Sequence, residues 1–251
     1  MPPDHSPLPP APHMVACPTR AERRLRRSAL VLAAISAGLA IGFLALSRAV
    51  VGGRTSALDQ AVLMAMRESG DHSDPVGPRW FEEACRDVTA LGGGTVLALL
   101  GGTATLFFWL AGLRRAGVYV AIAVVGAGLI SFSLKRSFDR PRPELVPHGQ
   151  RVYTSSFPSG HSMLSATVYL TLGMVASRFV PRRRLKVLFL VVATLVTAAV
   201  GASRVYLGVH WPTDVLAGWC VGAAWALTCW CVAAWLQDYG LLEQDIYHPE
   251  G

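Results

Sequence analysis

The sequence predicts an all-α protein, an integral membrane bundle of about six transmembrane helices. Two features of composition and one physical constraint carry this. Charged residues are only 16% of the chain and hydrophobic ones 52%, whereas a soluble domain carries about a quarter charged residues. The apolar residues gather into runs close to the ~20 residues that cross a ~30 Å hydrocarbon core. No water reaches the backbone inside that core, so each run must satisfy its own N–H and C=O groups by forming a helix.

Residues 1–27 are rich in proline and then in arginine (Arg20, Arg23, Arg24, Arg26, Arg27), a composition that reads as a disordered basic cytoplasmic tail. The first apolar run, Ser28–Val51, is near full spanning length behind a long tail, which favours an uncleaved anchor over a signal peptide. A polar stretch from Gly52 to Gly94 follows, with Asp59, Glu68, Asp71, Asp74, Glu82, Glu83 and Asp87. Its middle, Asp71–Pro78, reads as a loop and its flanks as short interfacial helices. A connection this long is often functional, as a lid or a substrate-access element. Further apolar runs cover Thr95–Leu113, Gly117–Leu134, His161–Phe179, Val187–Ala202 and Val215–Leu236. Small residues such as Gly126, Ala127 and Gly128 allow close helix approach. The membrane domain is thus 28–236, followed by an acidic cytoplasmic tail at 237–251.

The formal net charge of +7 does not point to nucleic acid, because the basic residues form short clusters beside apolar runs, where they act as topology signals. The N-terminal arginines, Arg114–Arg115 and Arg182, Arg183, Arg184 and Lys186 fall on one side of a six-span chain, the cytoplasmic side by the positive-inside rule. The 52–94, 135–160 and 203–214 connections then face outward from a cell membrane. The second of these also carries Lys135, Arg136, Arg140, Arg142 and Arg151, which a topology signal would exclude and an anion site would explain. Of the 5 cysteines, Cys220, Cys229 and Cys231 sit in an apolar run and Cys17 and Cys85 stand apart. This is neither a disulfide framework nor a zinc-site spacing, and no metal or other cofactor is expected.

Three segments concentrate polar residues at the outer ends of the runs. In Lys135–Pro143, the prolines at 141 and 143 stop a helix and hold Arg142 on an extended turn. An arginine fork suits phosphoryl oxygens and a lysine supplies a compact charge, though either residue alone can be a membrane-boundary anchor. Pro158-Ser159-Gly160-His161 reads as a helix start with Ser159 as N-cap. The same geometry gives an anion site of free N–H groups with His161 at its edge, placed to protonate a leaving oxygen. In Ser203–Asp214, Asp214 can simply cap the last helix. Four residues after His210, it can also take one ring N–H and leave the other nitrogen free to attack.

Taken together, Lys135 with Arg142-Pro143, then Pro158-Ser159-Gly160-His161, then Ser203-Arg204 with His210 and Asp214, resemble the three-part signature of the type 2 phosphatidic acid phosphatase superfamily. The resemblance covers about Asp59 to Leu236. It implies that His210 attacks phosphorus to form a phosphohistidine, with Asp214 orienting it and His161 protonating the leaving group and then activating water. It also implies that Lys135, Arg142, Ser159, Gly160 and Arg204 hold the phosphoryl oxygens without a metal. The expected function is a membrane phosphatase acting on a lipid-linked phosphate or pyrophosphate in the bilayer. Candidate substrates are an isoprenyl pyrophosphate such as undecaprenyl pyrophosphate, phosphatidic acid and phosphatidylglycerol phosphate. A lipid phosphotransferase and a non-enzymatic anion-binding transporter are the alternatives.

Overall fold

The computed structural model describes residues 20–144 and 155–238. Among these the fold is helical throughout: α1 (Arg20–Val51), α2 (Ser56–Met64), α3 (Arg79–Ala90), α4 (Gly94–Leu110), α5 (Arg114–Ser137), α6 (Gly160–Arg178), α7 (Arg183–Tyr206) and α8 (Pro212–Asp238). The six apolar runs of the sequence are α1, α4, α5, α6, α7 and α8. The backbone from Arg20 to Arg27, expected as the end of the tail, is already helical as α1 begins. The rest of that tail, the 239–251 segment, Cys17 and Arg151 lie outside the described residues.

Four stretches are long and apolar enough to cross a membrane: Ser28–Val51, Arg114–Ser137, Arg183–Tyr206 and Pro212–Leu236. A fifth arises if α3 and α4, bent by 48° at their junction, act as one span. α6 falls short of the apolar criterion although it is one of the expected runs. The physical reason is its position: it packs against α4, α5, α7 and α8 and touches neighbours rather than lipid. Ser162, Ser165, Thr167 and Thr171 on it are fully buried. Thr167 Oγ1 donates to the Met163 carbonyl and across to Gly222 O at 3.1 Å, which makes a hydroxyl tolerable inside the bundle. Side chains at Gly218 and Gly222 would run into the α6 backbone at Ser159 and Met163, so glycine sets the α6–α8 separation.

The outer helices present the opposite surface. Leu30, Ile41 and Leu44 of α1, Leu106 and Phe107 of α4, Ile122 and Leu129 of α5 and Leu195 of α7 are all exposed. In water such a belt would be a liability; against acyl chains it costs nothing. Arg114 over Trp109 and Arg178 over Trp230, the latter at 4.1 Å, lie at the end where α5 and α7 begin and α6 ends, as expected of boundary anchors.

Two flanking helices do form in the Gly52–Gly94 stretch, as the sequence predicts. α2 packs on α8 and α3 on α7. The turn between them is closed by an isolated bridge, Arg67 to Pro75. Arg67 Nη2 donates to the Tyr206 carbonyl at 2.9 Å, and Tyr206 Oη donates to Val76 O at 3.0 Å. This clips the turn onto the end of α7. Two helix ends differ from the sequence reading. α5 continues through Lys135 and Arg136 to Ser137, and α7 continues through Arg204 to Tyr206. Lys135 and Arg204 are therefore last-turn helical residues, not loop residues.

Candidate active site

α5 and α7 end, and α6 and α8 begin, at the same end of the bundle, so three segments distant in sequence converge there. Phe138 is extended, with φ −124° and ψ 140°, and leads the chain across this end as far as Pro143. The chain returns at Ser155. Phe43, Phe138 and Phe157 cluster beneath it, Phe43 stacked on Phe157 and Phe138 edge-on to Phe157 with centroids 4.9 Å apart.

Ser159 is the N-cap of α6, and its side chain accepts from Ser162 N. Its own N–H donates to Asp214 O at 2.9 Å, tying the start of α6 to the start of α8. Gly160 leaves the room that Lys135 fills: a Cβ there would lie 3.2 Å from Lys135 Cε. Lys135 Nζ lies 3.4 Å from Ser155 O. His161, one residue further, is half-buried and within electrostatic reach of Arg204, His210, Lys135 and Arg142.

His210 is 1% exposed and Asp214 0%. His210 Nδ1 faces Asp214 Oδ2 at 3.3 Å. The other ring nitrogen, Nε2, is 3.1 Å from Arg142 Nη1, which also donates to Val209 O at 3.0 Å. A guanidinium can only donate, so Nε2 is the acceptor and Nδ1–H the donor. Burial pushes the His210 imidazolium down to a pKa of about 4, against the opposing pull of Asp214. The ring is therefore neutral at pH 7. Asp214 also plays the ordinary part: its Oδ2 accepts the Trp211 N–H at 3.0 Å, a reciprocal cap on the first turn of α8. The same carboxylate oxygen thus contacts the His210 ring and caps the first turn of α8.

Each sequence-selected residue is brought to this one end. Lys135, Arg142, Ser159, Gly160, His161, Arg204, His210 and Asp214 all line or adjoin it. Arg142 Nε and Arg204 Nε are buried with no hydrogen-bond partner among the described residues, so the centre holds cationic donors without acceptors. Among the described residues, no group of three or more His, Cys, Asp or Glu side chains is arranged to hold a metal ion.

Three contributors were not singled out from sequence. Arg140, grouped there only with the outward basic residues, bonds both Asp59 and Asp214. Asp59 comes from α2, where a Leu63 four residues on shares its buried face. That acid-in-an-apolar-face pattern was the available signal. Thr89, at the end of α3, accepts from Arg204 Nη1 at 3.1 Å. The adjacent Gly92 is packed so tightly that a side chain would strike Val200 and His161.

A family model described as the PAP2 superfamily matches residues 116–238. Phosphatidylglycerophosphatase B of Bacillus subtilis (strain 168) is 34% identical over 152 residues, 57% of this chain and 70% of that protein. An undecaprenyl-diphosphatase of Sulfolobus acidocaldarius is 40% identical over a shorter 68 residues, 27% of this chain and 29% of that one. The crystal structure of a transmembrane PAP2 type phosphatidylglycerolphosphate phosphatase from Bacillus subtilis superimposes with a TM-score of 0.64 at 25% identity. It covers 84% of this chain and 98% of that one. By sequence and by fold, the chain belongs to the PAP2 superfamily and is a membrane phosphatase of that family.

Proposed function

We propose that this chain hydrolyses a lipid-linked phosphate or diphosphate at the outer membrane–water boundary, through a phosphohistidine on His210 and without a metal. The observation that supports it most is the pairing of His210, a neutral buried imidazole whose Nδ1 faces Asp214, with Arg142 and Arg204, whose buried Nε atoms have no acceptor among the described residues.

The steps follow from the atoms present. The phosphoryl group sits among Lys135, Arg142, Arg204, the Ser159 hydroxyl and the Gly160 amide, where a helix N-terminus favours an anion. Its oxygen replaces His210 Nε2 as the acceptor for Arg142. Nε2 then attacks phosphorus in line, and Nδ1–H stays on Asp214, which stabilises the charge that the ring acquires. The bond from phosphorus to the leaving oxygen breaks as His161, which takes up a proton when the anionic phosphoryl group binds beside it, donates that proton to the oxygen. In the second half, neutral His161 takes a proton from water, the water oxygen attacks phosphorus, and the N–P bond returns its electrons to His210. Phosphate leaves with the extra oxygen. Fixed cations supply the charge stabilisation on which phosphoryl transfer depends.

The lipid half of the proposal rests on position. An apolar groove of about 580 Å³ lies between α1, α5 and α8, lined among others by Ala40, Phe43, Leu134, Trp225 and Val232. Leu134 ends it next to Lys135, so a chain lying in the groove would hold its headgroup at the cations. The basic clusters at the opposite end support an extracytoplasmic site. Isoprenyl diphosphate, phosphatidylglycerol phosphate and phosphatidic acid are the substrate candidates.

The test is phosphate release by purified protein from each of these lipids, with and without chelator, against the variant His210→Ala. Release by the wild type in chelator, abolished in the variant, supports the proposal. Loss of wild-type release on chelation overturns the metal-free mechanism, and inactivity on every lipid overturns the substrate class.

A further inference from the structure

Asp59, Arg140 and Asp214 are consecutive links of one buried chain. Arg140 Nη2 lies 2.6 Å from Asp59 Oδ2, and its Nη1 lies 2.5 Å from Asp214 Oδ1, with the three side chains 1%, 15% and 0% exposed. Arg140 Nη1 also donates to Thr213 Oγ1 at 2.8 Å. Thr213 in turn donates twice to Asp59, from its backbone N at 3.0 Å and from Oγ1 at 2.8 Å. The ring Asp59–Thr213–Arg140 is therefore closed, and every oxygen of both carboxylates is used. Arg140 is fixed from its other sides as well. Its guanidinium lies 5.7 Å from the Trp211 ring centroid. Its backbone N–H donates to Ser155 Oγ and its carbonyl accepts from Ser156 N.

We propose that Asp59 and Arg140 are positioning residues of the reaction. The Arg140 fork holds Asp214 Oδ1, and so keeps Oδ2 on the His210 ring and Nε2 aimed at phosphorus. This rests on the reading of His210 as nucleophile and assigns a task to α2, the first helix of the Gly52–Gly94 stretch. The need for such a device follows from the charges nearby. Asp214 is within electrostatic reach of Lys135 and Arg142. Without a cation behind it, the carboxylate would turn toward them and occupy the place of the phosphate. Arg140 supplies that rear cation, and Asp59 supplies the counter-charge that holds Arg140 there. A planar fork can bridge two carboxylates at once; a lysine ammonium is a point charge and does not.

The charged groups facing His210 are Asp214 on α8, Arg142 on the 138–144 segment, Arg204 on α7 and His161 on α6, with Lys135 on α5 beside His161. Asp59 and Arg140 stand behind Asp214. Removing the cation leaves more negative charge facing the ring, and removing the anion leaves less. The two variants must therefore shift His210 in opposite directions.

The experiment uses the full chain in nanodiscs with dioleoyl phosphatidic acid, and compares Asp59→Asn, Arg140→Gln, Arg140→Lys and His210→Ala, with thermal unfolding recorded for each. Asp59→Asn and Arg140→Gln are expected to lower kcat by about 10- to 100-fold, the usual cost of a misplaced reacting group, and Arg140→Lys does not restore it. The acid limb of kcat/KM moves to higher pH in Arg140→Gln and to lower pH in Asp59→Asn. Vanadate binds more weakly to Arg140→Gln, as Asp214 turns into the anion site, and less severely so to Asp59→Asn, whose Arg140 has lost its anchor. Unmoved acid limbs, or losses that merely follow the drop in unfolding temperature, overturn the proposal. Full activity of His210→Ala would instead remove the reading on which it stands.

Discussion

Arg142 Nη1 lies 3.1 Å from His210 Nε2, the nitrogen proposed to attack phosphorus. The contact fixes the tautomer, because Nε2 accepts there while Nδ1 is committed to Asp214. In the proposed mechanism the resting guanidinium is parked on the nucleophile and is handed to a phosphoryl oxygen when substrate arrives. Replacing Arg142 with Ala should lower kcat/KM by about 10²–10³-fold, the cost of one oxyanion donor in a preorganised site. Arg142→Lys should recover part of the charge but not the fork. Steady-state kinetics and vanadate titration of both variants check this.

The pH profile carries the sign of the His210 environment. Burial lowers its pKa from the ordinary 6.5 to about 4, even with Asp214 pulling the other way. The acid limb of kcat/KM that belongs to His210 should therefore lie well below 6.5. Stability follows the same shift. As pH falls, the unfolded chain takes up a proton near 6.5 while the folded ring resists until about 4, so the native state loses stability across that window. The unfolding temperature of the wild type should fall between these pH values, and that of His210→Gln should fall less.

Asp214→Asn keeps the shape of the side chain and removes the acceptor that selects the tautomer. An activity loss of about 10³–10⁴-fold is expected, as for other acid–histidine pairs. The variant also leaves Arg140 with one carboxylate instead of two, a buried imbalance that costs about 3–5 kcal/mol. Chemical denaturation measured beside activity separates the two effects.

The corner between α3 and α4 closes over the site from the other side. Gly92→Ala would push a methyl into Val200 and His161, and overpacking of this kind costs about 1–3 kcal/mol. Val200 takes most of the push, but His161 must also give by a few tenths of an ångström, so kcat should fall more than stability alone explains. Thr89→Val removes only the acceptor for Arg204 and should raise KM by about 10- to 100-fold, the worth of one hydrogen bond to a charged group. Kinetics and unfolding curves on the two variants decide.

How much of this was legible in the sequence depended on whether the signal was local. The six apolar runs, the Ser159 cap and the stop before Pro141 come from short-range physics, and each is where the residues put it. Helix ends at Ser137 and Tyr206 were misjudged because hydropathy marks the edge of the membrane, whereas a helix runs as far as its backbone bonds do. Lys135 and Arg204 lie in that excess, which is how the lipid-facing helices deliver cations to the boundary. α6 read as an ordinary span, yet its hydroxyls mark it as the helix enclosed by the others. Asp59 was the least visible contributor. Its partner Arg140 is 81 positions away, and the one local signal, an acid on the apolar face of α2, marks a buried carboxylate without naming that partner. Arg140 itself was hidden among other arginines of the same segment.

The central claim, a phosphohistidine on His210, is tested most directly by trapping it. Purified protein is mixed with radiolabelled lipid phosphate, quenched within one turnover at alkaline pH and resolved under denaturing conditions. Wild-type protein should carry label that survives alkali and is released by acid, and His210→Ala should carry none. Label on His210→Ala, or turnover by the wild type with no label at any quench time, would contradict the account.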